Sequence, residues 1–116
     1  MEGLRTTKRI ALSGLFLLVS ACSESEPPKP ELSVELQQGK TTVQGLCINC
    51  HGQGVNNAPI LGNPKMWGKR ITQGEDTLVS HALNGFNMMP PRGGNPALSD
   101  EEIRHAVQYM MSLVVQ

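Results

Sequence analysis

Cys47-Ile48-Asn49-Cys50-His51 is the stretch on which the reading of this chain turns. It spells C-x-x-C-H, the attachment signature of a c-type haem. The order has a chemical reason. Two thiols separated by two residues reach the two vinyl groups of one porphyrin and form thioethers. The next side chain, His51, then presents its imidazole to the iron from the tethered face. Other readings of these residues fit less well. A structural zinc site needs four ligands at metal-binding spacing, and the sequence holds no second C-x-x-C. A thioredoxin-type dithiol requires a βαβ setting, which the flanking residues do not provide. One covalently bound haem c is the expected cofactor, with Cys47 and Cys50 as tethers and His51 as an iron ligand.

Upstream residues predict the compartment. Arg5, Lys8 and Arg9 make a positive start, and Ile10 through Val19 is a short, largely apolar run. Together with the small residues Ser20 and Ala21 they read as a secretory signal, too short to span a membrane. Val19-Ser20-Ala21-Cys22 also looks like a bacterial lipobox, in which the Cys22 thiol is acylated and becomes the new N-terminus. Acylation would leave no thiol idle once Cys47 and Cys50 hold haem. Two acyl chains anchor a protein stably where one does so only marginally. Residues 1–21 are thus the expected lipoprotein signal peptide. Residues 22–35, rich in Ser, Glu and Pro, are the expected flexible tether. The predicted location is the periplasmic side of the cell envelope, with attachment to a membrane through lipidated Cys22.

Residues 36–116 remain for the folded domain. Residues 1–21 carry three of the ten basic and one of the ten acidic residues, which leaves seven and nine, a net charge of −2. No basic patch suggests a nucleic-acid partner. A chain of about eighty residues is marginal without a disulfide, metal or cofactor. Only Trp67, Phe86 and Tyr109 are aromatic beyond the leader, so a buried porphyrin is expected to supply the missing apolar area.

The patterning is all-α. Val34 through Leu46 predicts a first helix with Val34, Leu36, Val43 and Leu46 as its apolar positions, weakened by Gly39 and Gly45. Residues 52–63 read as loop. Asn63-Pro64 predicts a cap and first turn for a short helix to about Ile71. Glu75 through Leu83 predicts another, closed by Asn84-Gly85. Ser99 and Glu102 form an S-x-x-E capping box at the start of the last helix. Asp100, Glu101 and Glu102 suit its dipole, and Ile103, Ala106, Val107, Met110, Met111 and Val114 follow helical spacing.

Between the last two helices lies Phe86 to Leu98, too long and patternless for an idle connection in a compact domain. It contains Met88-Met89-Pro90-Pro91-Arg92-Gly93-Gly94. A thioether opposite His51 would favour ferrous iron and raise the reduction potential. Prolines fix φ and remove N–H groups, which suits a loop that must hold one sulfur still. Met89, adjacent to Pro90, is the expected second ligand, and Met88 the expected packing residue. His81 is either a distal ligand or a helix-face histidine, and the latter is preferred. His105, two residues after Ile103, is expected to face water.

Taken in order, these residues resemble a class I cytochrome c, and within it the bacterial cytochrome c5-like group. The matching positions are Gly39, Cys47 to Gly52, Ala58-Pro59, Trp67, Met89 to Gly94, Leu98 to Ile103 and Tyr109-Met110. Two departures stand out: Val43, where many relatives carry an aromatic, and Asn95-Pro96-Ala97, where some carry an extra cysteine pair. The resemblance implies a small class I cytochrome c fold, helices packed around one haem. It also implies that the Pro59 carbonyl accepts a hydrogen bond from His51, that Trp67 and Arg70 meet the haem propionates, and that Gly39 and Tyr109 mark the crossing of the first and last helices.

Three functions compete on this basis. One-electron transfer between redox partner proteins suits iron closed by His51 and Met89. A small haem peroxidase would need an open coordination position and nearby acid–base groups. A sensor, or a haem subunit of a larger oxidase or reductase, is the third. Electron carriage without catalysis is the preferred reading.

Overall fold

The computed structural model describes residues 31–115; the leader, Cys22 and most of the tether lie outside them. Helix α1 spans Val34–Thr42 and passes through a π-helical turn, Val43–Cys47, directly into α2, Ile48–His51. Helices α3 (Pro64–Ile71), α4 (Glu75–Asn84) and α5 (Asp100–Ser112) follow. Short 3₁₀ turns occupy Val55–Asn57 and Pro91–Gly94. Among the described residues there is no strand, only an isolated antiparallel bridge between Phe86 and Met89. None of their helices is long and apolar enough to cross a membrane.

The helix starts follow local chemistry. Ser33 caps α1 through Leu36 N–H at 3.4 Å. The Asn63 side chain accepts from Lys65 N–H at 3.0 Å and Met66 N–H at 3.2 Å, with Pro64 in the first turn of α3. At α5 the capping box is complete: Glu102 N–H donates to Ser99 Oγ at 3.2 Å, and Ser99 N–H to the Glu102 carboxylate at 2.8 Å. That second bond is the main reason the Glu102 carboxyl is held below its ordinary range.

The first helix departs from expectation. It is not one regular α-helix to Leu46, because a π turn widens it over Val43–Cys47, ending on the first tether. Such turns recur at functional sites. Gly45 in that turn weakens any preference for regular helix. Val34 is 66% exposed, whereas Val43 is fully buried. The helix is therefore held by one close crossing rather than by a long apolar face. A Cβ on Gly39 would lie 2.0 Å from the carbonyl oxygen of His105 and 3.0 Å from Tyr109 Cβ, so only glycine lets α1 pass so near α5.

That crossing explains a second correction. His105 does not face water; it is buried, at 8% exposure. The crossing of α1 over its backbone places it in a groove with Gln38, Thr41 and Thr42, and its Nε2 lies 3.9 Å from a Glu101 carboxylate oxygen.

Two apolar clusters build the interior. Leu78, Val79 and Ala82 of α4 meet Ile103 and Val107 of α5. Val43 and Trp67 meet Ala106 and Met110. At the solvent side Arg104 donates to Glu75 and Asp76, each at 3.0 Å, and Gln108 to Glu75 at 2.9 Å. These bonds tie the start of α4 to α5.

Candidate haem site

The C-x-x-C-H segment lies on the helical stretch from the π turn through α2, so Cys47, Cys50 and His51 share one wall of a cavity of about 620 Å³. Cys47 is half-buried, with Sγ 3.9 Å from the Thr42 carbonyl oxygen. Burial pushes its thiol up from the ordinary range. Cys50 is exposed.

His51 is 8% exposed and held on both sides. Its Nδ1 lies 2.9 Å from the Pro59 carbonyl oxygen. A carbonyl can only accept, so Nδ1 carries a proton, and in the neutral ring Nε2 is the nitrogen with the lone pair. This outer bond fixes tautomer and ring orientation, as around ligating imidazoles generally. The His51 carbonyl accepts from Leu61 N–H at 2.9 Å. Beside it, Trp67 Nε1–H donates to the Ile60 carbonyl at 2.8 Å, and the two rings lie 6.3 Å apart. Consecutive carbonyls of one loop, Pro59 and Ile60, thus fix both rings. Arg70 also lines the cavity, and its guanidinium donates to the Met66 carbonyl one turn back.

Further lining comes from α4, α5 and the loop between them. Met89 is half-buried and packs against the α4–α5 cluster, whereas Met88 is 68% exposed. Phe86 and Met89 exchange backbone hydrogen bonds, Phe86 N–H to Met89 O at 3.0 Å and Met89 N–H to Phe86 O at 2.9 Å. The left-handed Gly85 (φ 84°) makes this narrow turn feasible, since a Cβ there would sit 3.0 Å from both Met89 O and Pro91 Cδ. His81 stacks on Phe86 with centroids 3.9 Å apart and planes tilted by 14°. Sequence reasoning set Phe86 at the start of a loop expected to border the haem and preferred a helix-face role for His81, but it did not foresee that the two stack.

The residues present fit a haem. The cavity falls within the roughly 300–1,000 Å³ typical of cofactor sites. It is lined mainly by apolar side chains. One wall offers two thiols and an imidazole with a lone pair to spare. Among the described residues, no group of three or more His, Cys, Asp or Glu is placed to hold a bare metal ion.

Comparison with known proteins agrees. Residues 34–110 match the family model described as cytochrome C oxidase, cbb3-type, subunit III. The chain is 37% identical to cytochrome c-555 of Chlorobaculum tepidum over 105 residues, 87% of this chain and 90% of that protein. It is 41% identical to cytochrome c5 of Ectopseudomonas mendocina over 69 residues, 58% and 79% of the respective lengths. Among solved structures, a crystal structure of an electron transfer complex of nitrite reductase with cytochrome c contains a similar chain. The TM-score is 0.63 at 41% identity, covering 66% of this chain and 93% of that one. With this cavity, these tethers and this all-helical frame, the chain belongs to the cytochrome c family: a small class I fold that binds one covalent haem c and transfers single electrons.

Proposed function

We propose that the protein is a lipid-anchored carrier on the periplasmic side of a bacterial envelope. In this reading His51 and Met89 hold the iron, and the protein shuttles electrons between larger redox proteins without catalysing a reaction itself. When bound, haem supplies a one-electron ferric/ferrous couple. The chain's part is to hold the imidazole in one tautomer through Pro59, exclude water with the α4–α5 cluster, and bring a thioether to the cavity. The observation that carries this reading is the placement of Met89. It is half-buried and lines the same cavity as His51, while Met88 beside it is 68% exposed. Trp67 and Arg70 are proposed to border the haem propionates. The Trp67 N–H is already engaged by Ile60, so in this arrangement Arg70 has the freer donors.

Exposed apolar side chains support the docking role. Ile48, Val55, Phe86 and Met88 are 42–68% exposed; Val55, Phe86 and Met88 also line the cavity. Redox encounters use small, transient contacts, which a compact apolar rim suits. The similar cytochrome in complex with nitrite reductase makes a larger reductase or oxidase a reasonable class of partner. The anchor rests on Cys22, outside the described residues. The mature protein should partition into detergent and membranes, and Cys22→Ser should release it.

An optical spectrum of the oxidised protein tests the ligand set. A long-wavelength sulfur-to-iron band is expected in the wild type and absent in Met89→Leu. Ready binding of carbon monoxide by the reduced wild type would refute the closed site and favour a sensor or peroxidase.

A further inference from the structure

The segment that carries Met89 has an unfavourable backbone. Arg92 sits at φ 55°, ψ 28°, in the left-handed region, and Gly93 follows at φ 63°. Glycine tolerates that region, but an arginine does not do so freely. Such a residue persists only when its surroundings over-determine it. Here its own side chain identifies those surroundings. Arg92 Nη1 donates to the Leu98 carbonyl at 2.7 Å, and Nη2 pairs with the Asp100 carboxylate in the first turn of α5. Its side chain is 28% exposed. The guanidinium thus bridges the loop from its middle to the rigid, capped start of a helix. On the other side Gly93 N–H donates to the Pro90 carbonyl at 3.1 Å. Pro90 directly follows Met89, and the rings of Pro90 and Pro91 fix their φ angles. Little slack separates the grip from the sulfur.

We propose that Arg92 is a positioning residue for Met89. Its grip on Leu98 and Asp100 holds the thioether at the cavity wall and opposes its detachment from iron. The inference rests on the reading that Met89 is the second iron ligand. Shape matters here as much as charge. A lysine keeps the cation but has a compact head group instead of a planar fork, and cannot serve both acceptors in the same way. A glycine relieves the left-handed backbone and removes the grip, which separates backbone strain from positioning.

The test uses the full-length, haem-loaded protein and four variants: Arg92→Gly, Arg92→Lys, Asp100→Asn and Met89→Leu. Imidazole is titrated into each oxidised protein while the sulfur-to-iron band is followed, and thermal unfolding is recorded in parallel. An outside ligand binds only the fraction of molecules whose thioether is detached, so its apparent affinity reports that fraction. Arg92→Gly is expected to bind imidazole about tenfold more tightly than wild type, because a tenfold larger detached fraction lowers the apparent dissociation constant by the same factor. Asp100→Asn should fall between the two, and Arg92→Lys should restore only part of the difference. Wild-type imidazole affinity in Arg92→Gly overturns the proposal, even if its melting temperature falls. Full restoration by Arg92→Lys overturns the two-ended grip. A wild type without the band, or a Met89→Leu variant that keeps it, overturns the ligand assignment and this inference together.

Discussion

The two walls of the haem cavity are built by opposite means. On the His51 wall, both tethers and the imidazole come from five consecutive residues on one helical stretch. A bond to Pro59 then holds the ring, and one from Leu61 N–H holds the His51 backbone carbonyl. On the Met89 wall, the sulfur sits in a segment without a regular helix. It is held by a bridge to Phe86, by packing on α4 and α5, and by a loop fastened to the start of α5. The first wall is covalent and local. The second depends on several weak contacts, any of which can be loosened separately. The tethered wall should therefore fail all at once and the methionine wall by degrees.

The largest effect is expected on the tethered wall. Cys50→Ala should cripple maturation, and in a Cys47→Ala, Cys50→Ala double variant any haem that remains should be extractable by acid–acetone. Intact-mass analysis of the exported proteins checks this, and full retention of unextractable haem in the double variant would break the contrast. On the other wall, Met89→Leu should leave haem attached but open the site. The reduced variant should bind carbon monoxide, and the reduction potential should fall by more than about 59 mV, a tenfold change for one electron. The direction follows because sulfur stabilises ferrous over ferric iron. Met88→Leu should change both properties far less, since Met88 is mostly exposed. If the two methionine variants exchange behaviour, the ligand assignment is wrong.

Gly39→Ala probes the frame that both walls share. Its new methyl would collide with the His105 carbonyl, and the helices would have to part. Overpacking of this kind costs about 1–3 kcal/mol, readable as a lower melting temperature. Unchanged stability would mean that α1 and α5 cross less tightly than the structure shows.

The smallest effect concerns pH. The Glu102 carboxyl is lowered chiefly by the Ser99 backbone N–H. A carboxyl lowered on folding adds stability above its unfolded pKa and loses it as pH falls through the folded value. Glu102→Gln should flatten that acid-side slope slightly, and because Glu102 is fully exposed the change should be modest. Chemical unfolding at several acidic pH values measures it. An identical slope in the variant would remove the capping box from the acid response.

Much of this was legible because it is local. The starts of α3 and α5 are announced by Asn63-Pro64 and Ser99-x-x-Glu102, residues that bond within one turn. The end of α4 is announced by Gly85. The misreadings share a cause. Val34 fits a helical apolar spacing, yet α5 crosses α1 at Gly39 and leaves Val34 in solvent. His105 sits at a polar position by pattern, yet the same crossing covers it. Periodicity assigns residues to faces of one helix, but the direction from which a neighbour arrives settles which face is covered.

The sequence by itself determined the cofactor, its two tethers and the helical class, because thioether chemistry and helix capping both act between residues a few positions apart. The Pro59 contact to His51 was already expected from the family resemblance, whereas only the tertiary structure decided that His81 stacks on Phe86 and that Ile60 holds the Trp67 ring. It alone brought Arg92 to Leu98 and Asp100. Those contacts depend on where a turn delivers a side chain in space, and no spacing rule along the chain encodes that position.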